Sequence, residues 1–422
     1  MKPLTYTDTP DASSHPGMTF RMFVLFVATI MAMNAISIDS MLPALPEIGR
    51  TLGIAEANDT QWVITAYLLG FGGAQIIYGP LADRFGRKPI LLAGIAIYAA
   101  GSLWAAFTTS LEAMMFARVV QGIGAAATRV LAVTIVRDCY SGATMARVMS
   151  LTFIVFLAAP IIAPSLGQLV MLFVSWHWIF GLLAIYGVWA FVWGARKLPE
   201  TLHEKDRMPL SVGAVGHALW LTLTTRVTIF YTLAVTLIFG ALFGFINSIQ
   251  QVFEQTFNAA DIFPAIFAGI AAFMALSSFV NSRVVERLGT RLVSHTALIG
   301  FTGFAAIHMI SAYFGHESIW SFSLVQGGQM FCFGLIVSNF NSMAMEPMGH
   351  IAGTASSVQG FISTTGGALL GFLVGQQFDG TTLPLGTGFF VFAALAIVCV
   401  LLAERGRMFR RVSRPSPGPQ AQ

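Results

Sequence analysis

The chain has 422 residues, of which 56% are hydrophobic and only 10% charged, with a formal net charge of +4. A mean hydropathy of +0.74 excludes an ordinary soluble globular protein. The positive excess is not a nucleic-acid footprint, because it is distributed by membrane topology between apolar runs.

About twelve apolar runs are each long enough to cross a bilayer, which predicts an all-α integral membrane protein. Residues 1–19 are polar, and the run that follows is too long for the core of a cleavable signal peptide. The expected spans of the first half are Phe20–Pro46, Thr60–Leu81, Pro89–Phe107, Leu111–Val136, Thr144–Phe173 and Trp178–Gly194. Those of the second are Thr228–Phe253, Ile262–Val280, Leu292–Phe314, Ile319–Met345, Ile351–Phe378 and Leu385–Ala403. The chain thus divides into a polar tail (1–19), a six-helix half (20–194), a charged linker (195–227), a second six-helix half (228–403) and a basic tail (404–422). The linker, with Glu200 among its charges, reads as a connecting segment without chemistry.

With the amino terminus in the cytoplasm, only Arg50 of the 23 Lys and Arg residues falls in an outer loop. Arg118 and Arg129 lie inside the fourth helix, and all the others face inward. Both termini are therefore expected in the cytoplasm. Cys139, Cys332 and Cys399 lie in or beside different helices and suggest neither a disulfide framework nor a metal site.

Charges inside a span are costly and are functional candidates. Asp39, at the outer part of the first helix, and Arg118, at the outer part of the fourth, stand at similar depth and can pair. A carboxylate that titrates beside a positive charge is what proton coupling needs. The alternatives are a structural ion pair, or an Asp that caps a kink near Pro43. Gln121, Gly122, Ala125 and Arg129 continue the Arg118 face at helical spacing. Two readings of Arg129 stay open: it binds an anionic or strongly polar part of a substrate, or it snorkels to the cytoplasmic surface.

The fifth helix carries Ala159-Pro160-Ile-Ile-Ala163-Pro164-Ser-Leu-Gly167. Small residues four apart permit close packing, and the prolines bend the helix. The second half is neutral inside. Asn247, Gln250, Gln251, Gln326, Gln329, Asn339 and Asn341 can line a cavity with Phe243, Phe331 and Phe333, or can instead bond helix to helix. Gly70-Phe-Gly-Gly73 sits inside a span and is no nucleotide loop. His203-Glu204 and His316-Glu317 lack the second His of a zinc protease helix, and no Walker sequence is present.

Between the second and third spans runs Gly79-Pro-Leu-Ala-Asp83-Arg84-Phe-Gly86-Arg87-Lys88-Pro89, echoed 203 residues later by Glu286-Arg-Leu-Gly-Thr-Arg291. The spacing of Gly79, Leu81, Asp83, Arg84, Gly86, Arg87, Lys88 and Pro89 resembles the signature loop of the major facilitator superfamily. That resemblance implies two pseudo-symmetric six-helix halves rocking around a central site. Asp39 with Pro43, the Arg118-x-x-Gln121-Gly-x-Gly-Ala-Ala run closed by Arg137-Asp138, and the fifth-helix run are similar to twelve-helix drug:proton antiporters. The bicyclomycin and chloramphenicol exporter group is the most similar. Ala159 and Ala163 stand where that group usually has glycine.

The resemblance implies Asp39 as a protonation and substrate-linked site, with Arg118 and Gln121 as coupling and binding residues. It also implies a conformational latch in which Asp83 meets the inner start of helix eleven and Arg87 meets Asp138. The expected activity is proton-coupled export of small amphipathic compounds across a bacterial inner membrane, by a monomer without cofactor or metal. Its partners are the substrate, protons and the bilayer. A dedicated exporter of a metabolite such as a siderophore, amino-acid derivative or nucleoside is the alternative. A membrane enzyme would need a catalytic cluster that the sequence does not display.

Overall fold

Backbone polar groups inside a bilayer find no water, so each long apolar run must satisfy its own hydrogen bonds, and each folds as a helix. The computed structural model describes residues 18–207 and 212–409. Among them, twelve segments are long and apolar enough to cross a membrane. The helices of the first half are α1 (Phe20–Asp39), α2 (Trp62–Phe85), α3 (Arg87–Ala105), α4 (Leu111–Cys139), α5 (Gly142–Met171) and α6 (His177–Lys197). Those of the second are α7 (Arg226–Gln251), α8 (Phe263–Leu288), α9 (Thr290–Tyr313), α10 (Ile319–Met345), α11 (Ala352–Gly375) and α12 (Leu383–Ala403).

The packing repeats with a shift of six helices. The pairs α1–α5, α2–α4, α3–α4 and α3–α6 recur as α7–α11, α8–α10, α9–α10 and α9–α12, and the halves meet along α2–α11 and α5–α8. The echoed loop has the same backbone in both copies. Gly86 (φ 103°) and Gly289 (φ 85°) each end one helix and start the next in a conformation that L side chains rarely adopt. The loops carrying Arg84–Lys88 and Arg283–Arg291 lie at one end of the bundle, called here the basic end; the opposite end is the far end.

Two expectations change. The first helix stops at Asp39, short of Pro46, and continues as a 3₁₀ turn (Leu42–Ala44) and a short helix (Leu45–Thr51). Pro43 and Pro46 lack the N–H that an unbroken helix would use, and their rings crowd the preceding turn. The linker is also less plain than its composition: Val212–Thr224 forms a helix that packs on α11. Of the two tails, residues 1–17 and 410–422, including the arginines beyond Arg407, lie outside the described residues.

Candidate functional site

Asp39 is the last residue of α1, only 5% exposed, and has no ion-pair partner among the described residues. The break just beyond it is held from the side by α5. Ala159 packs with Ala32 and Ala35 of α1, Ala163 is buried, and a Cβ on Gly167 would fall on the carbonyl oxygen of Ser40. The small face of α5 therefore lets two backbones touch at the residue after Asp39. Pro160 and Pro164 sit within α5 without ending it, because their missing donors fall inside a 30-residue helix whose other bonds persist.

Arg118 is completely buried, yet it is not paired with Asp39. Its Nε donates to the Val63 carbonyl at 2.9 Å, and Nη1 donates to the Ser37 carbonyl at 3.2 Å and to Gln121 Oε1 at 2.5 Å. The guanidinium lies 4.4 Å over the Tyr67 ring and 5.6 Å from that of Phe180. Carbonyl dipoles and aromatic faces thus replace the counter-ion that a buried charge normally requires. The network extends outward. Gln121 donates to Ser102 Oγ (2.8 Å), Ser37 Oγ meets Tyr98 Oη (2.6 Å), and Tyr67 Oη donates to Asn34 Oδ1 (2.9 Å). Nη2 alone stays buried without a partner. The charge is thereby tied to α1 through the backbone of Ser37, two residues before Asp39.

Arg129 behaves differently. It lies eleven residues, about three turns, beyond Arg118 on the same face of α4. That face is interior at Arg118, Gln121, Gly122 and Ala125, and opposite to the exposed Phe116. Arg129, on that same face, is nevertheless exposed. It is about 15 Å of helix from the basic end of α4, and it has no ion-pair partner among the described residues.

In the second half the predicted amides separate into three groups. Asn247 on α7 and Gln326 and Gln329 on α10 are buried with both side-chain polar atoms unpartnered. Groups of that kind call for water or a ligand. Asn339 instead bonds helix to helix, donating to Asn281 Oδ1 (2.8 Å) and to the Leu335 carbonyl (2.7 Å). Gln251 belongs to a tie between the halves at the far end. It accepts from Gln61 Nε2 (2.7 Å) and donates to Asn58 Oδ1 (2.9 Å). Asn58 Nδ2 reaches the carbonyls of Gln376 and Phe378, Gln376 Nε2 returns to the Asn58 carbonyl, and Gln61 also reaches the Gly375 carbonyl. Trp62 lies against Phe372 beside them. The one other described polar bond between the halves, Gln75 Nε2 to Thr364 Oγ1 (3.2 Å), is nearer the middle.

At the basic end, Arg87 is buried between two carboxylates. Nη1 donates to Asp83 Oδ1 at 2.5 Å and Nε to Asp138 Oδ2 at 3.0 Å. The described partner of Asp83 is thus Arg87, while helix eleven approaches the loop at Gly79, where a Cβ would meet Ser357. Arg84 is exposed, and Lys88 Nζ donates to the Ala195 carbonyl (3.0 Å). Sequence reasoning missed the linker's part. Glu200 accepts from the backbone N–H groups of Arg87 (2.7 Å) and Lys88 (3.2 Å), so its carboxylate caps the positive end of α3. Thr201 adds a bond to Asp138. The second half repeats the clasp: Arg291 pairs with Glu346 (3.1 Å) and with Glu404 (2.8 Å), the residue just past α12. Glu200 and Glu404 each follow the last helix of a half, and that common position was the available signal.

Residues 25–372 match the sequence description of the Major Facilitator Superfamily. The chain belongs to that superfamily. It is 28% identical to the bicyclomycin resistance protein homolog of Haemophilus influenzae over 90% of this chain and 94% of the relative. It is also 28% identical to the chloramphenicol resistance protein of Pseudomonas aeruginosa, over 82% of this chain and 81% of the relative. Its fold matches a solved D-xylose-proton symporter with a TM-score of 0.69 at 14% identity, covering 93% of this chain and 99% of that one. This facilitator chain is a multi-pass membrane transporter with twelve spans among the described residues, and its fold and relatives are those of transporters.

Proposed function

We propose that the protein exports small amphipathic compounds, of the chloramphenicol or bicyclomycin kind, from the cytoplasm across a bacterial inner membrane in exchange for protons. The basic end is then the cytoplasmic one, with both termini there, as the positive-inside rule requires. The observation that carries the reading is Asp39, a buried carboxylate with no counter-ion among the described residues, at the break of α1 and against the proline-bearing α5. A carboxylate so placed can take a proton from one side and give it up when cargo arrives from the other. The relatives named for bicyclomycin and chloramphenicol resistance supply the cargo class.

In the cycle, cargo enters from the basic end and displaces the proton of Asp39. The halves then rock about the α2–α11 and α5–α8 contacts, and the amide tie at the far end opens. Arg118 transmits the charge state of Asp39 through the Ser37 carbonyl to α2, α3 and α4. The carboxylate clasps around Arg87 and Arg291 hold each half as a rigid body while it moves. A membrane potential of 100 mV supplies about 2.3 kcal/mol per charge, enough for one proton to drive useful accumulation.

The test is proton release from the detergent-solubilised protein on addition of chloramphenicol, run beside Asp39→Asn. Release from the wild type and none from the variant is expected. Equal release from both removes Asp39 from the coupling role.

A further inference from the structure

The interior of the transporter carries an unbalanced positive charge. Away from the ends of the twelve membrane-crossing segments, those of the first half hold Asp39 (inside Phe20–Thr51, at the α1 break), Arg118 and Arg129, while those of the second half hold no Asp, Glu, Lys or Arg. Arg118 is sealed and already served by three acceptors. Arg129 lies on the face of α4 that is buried at Arg118, Gln121, Gly122 and Ala125, is itself exposed, and is paired with no carboxylate among the described residues. With Asp39 ionised the interior sums to one positive charge, and with Asp39 protonated to two. The sign is the same in both states of the proposed cycle.

We propose that Arg129 is an anion-binding anchor, and that the cargo this transporter prefers is an amphipathic anion carrying a carboxylate or similar group. The inference rests on the export reading above and adds the charge class of the cargo. A planar guanidinium with free donors matches a carboxylate bidentately, and its weak hydration lets it do so in a confined space. Arg129 stands nearer the basic end than Asp39 does, so a solute entering from the cytoplasm meets the arginine first. A lipophilic cation meets a field of its own sign there, and nothing in the second half offsets it. The unpartnered amides of Asn247, Gln326 and Gln329 can serve the neutral polar atoms of the cargo body without changing that balance.

The experiment compares three probes on the full-length protein in lipid nanodiscs by isothermal titration: chloramphenicol, its anionic succinate ester, and the tetraphenylphosphonium cation. The succinate ester is expected to bind at least about tenfold more tightly than the other two. Arg129→Gln is expected to bring the ester to the affinity of chloramphenicol, while Arg129→Lys, which keeps the charge, retains most of the preference and shows that the site still folds. The proposal is overturned if the wild type binds the ester no better than chloramphenicol, binds the cation most tightly, or binds none of the three. An unchanged ratio in Arg129→Gln overturns it equally. Failure of the export reading has a separate signature, an Asp39→Asn variant that releases protons as the wild type does, and it leaves the order of the three affinities untouched.

Discussion

Arg118 Nη1 donates to the backbone carbonyl of Ser37 at 3.2 Å, while the carboxylate of Asp39, two residues further along the same helix, has no cationic partner among the described residues. A structural ion pair would have linked the two side chains, and losing either would have exposed the other. Here they are separable. Asp39→Asn is expected to change folding stability by no more than about 1 kcal/mol, since no strong bond is lost, and yet to abolish proton release. Arg118→Met leaves the carbonyls of Val63 and Ser37 and the Gln121 amide without their donor, and is expected to cost about 3 kcal/mol. Thermal unfolding of the two purified variants, beside the proton-release assay, separates the roles. Equal destabilisation by both would restore the ion pair.

The contact between Gly167 and Ser40 is backbone to backbone. No rotamer relieves a clash with a main-chain carbonyl, so Gly167→Ala must push α5 away from the α1 break. A loss of about 1–3 kcal/mol and most of the export activity is expected. Ala163→Gly, one turn away, costs about 1 kcal/mol in helix propensity and is expected to keep export, measured as chloramphenicol efflux from energised cells.

Glu200 acts at the first turn of α3 through two backbone N–H groups. Glu200→Ala is expected to cost about 1–2 kcal/mol, and Glu200→Gln about half of that, because the amide keeps one acceptor oxygen and turns its NH₂ toward the Lys88 N–H. Equal melting temperatures for all three proteins would remove the cap from the account.

Glu317, in the α9–α10 connection, accepts a hydrogen bond from Thr382 and lies 3.5 Å from His308 Nε2. Burial raises its carboxyl above the ordinary value of 4.5, against the opposing effect of the Thr382 hydroxyl. The folded protein therefore holds this proton more tightly than the unfolded chain. The associated stability is fully present below pH 4.5 and is lost as the pH rises through the raised value. Across that window the melting temperature of the wild type is expected to fall relative to Glu317→Gln. Parallel profiles would show that the group titrates alike in both states.

The fold was legible because its signals are long. Twelve apolar runs and the placement of the arginines outline the bundle, and the Gly86 and Gly289 turns mark its repeat. The site was legible only in part. Helix positions such as Asn247, Gln251 and Asn339 look alike in sequence, and depth and azimuth in the folded bundle decide which is unpartnered, which ties the halves and which merely joins two helices. Asn58 and Gln61 sit in a short polar stretch with no periodicity. Glu200 stands among many linker charges, and its place just past the last helix of its half, shared with Glu404, was the one sign that set it apart. The end of α1 at Asp39 was the nearest miss: the two prolines announced a break, but not that the helix ends at Asp39, where Gly167 of α5 meets the Ser40 carbonyl.

The tie at the far end, made of Asn58, Gln61, Gln251 and Gln376, has one further consequence. Amides are neutral, so parting them carries no gating charge across the membrane and responds to neither voltage nor salt. In the proposed cycle the tie then adds nothing to the electrical work, which falls on the travelling species and on any displacement of Asp39, Arg118 and Arg129 with their half. In the proposed exchange a proton moving inward and a monovalent anion moving outward together displace two charges in the favourable direction, which doubles the pull of the membrane potential to about 4.6 kcal/mol at 100 mV. On the proposed reading the tie is electrically silent, and the current reports the cargo, the proton and whatever charges of the first half move with them.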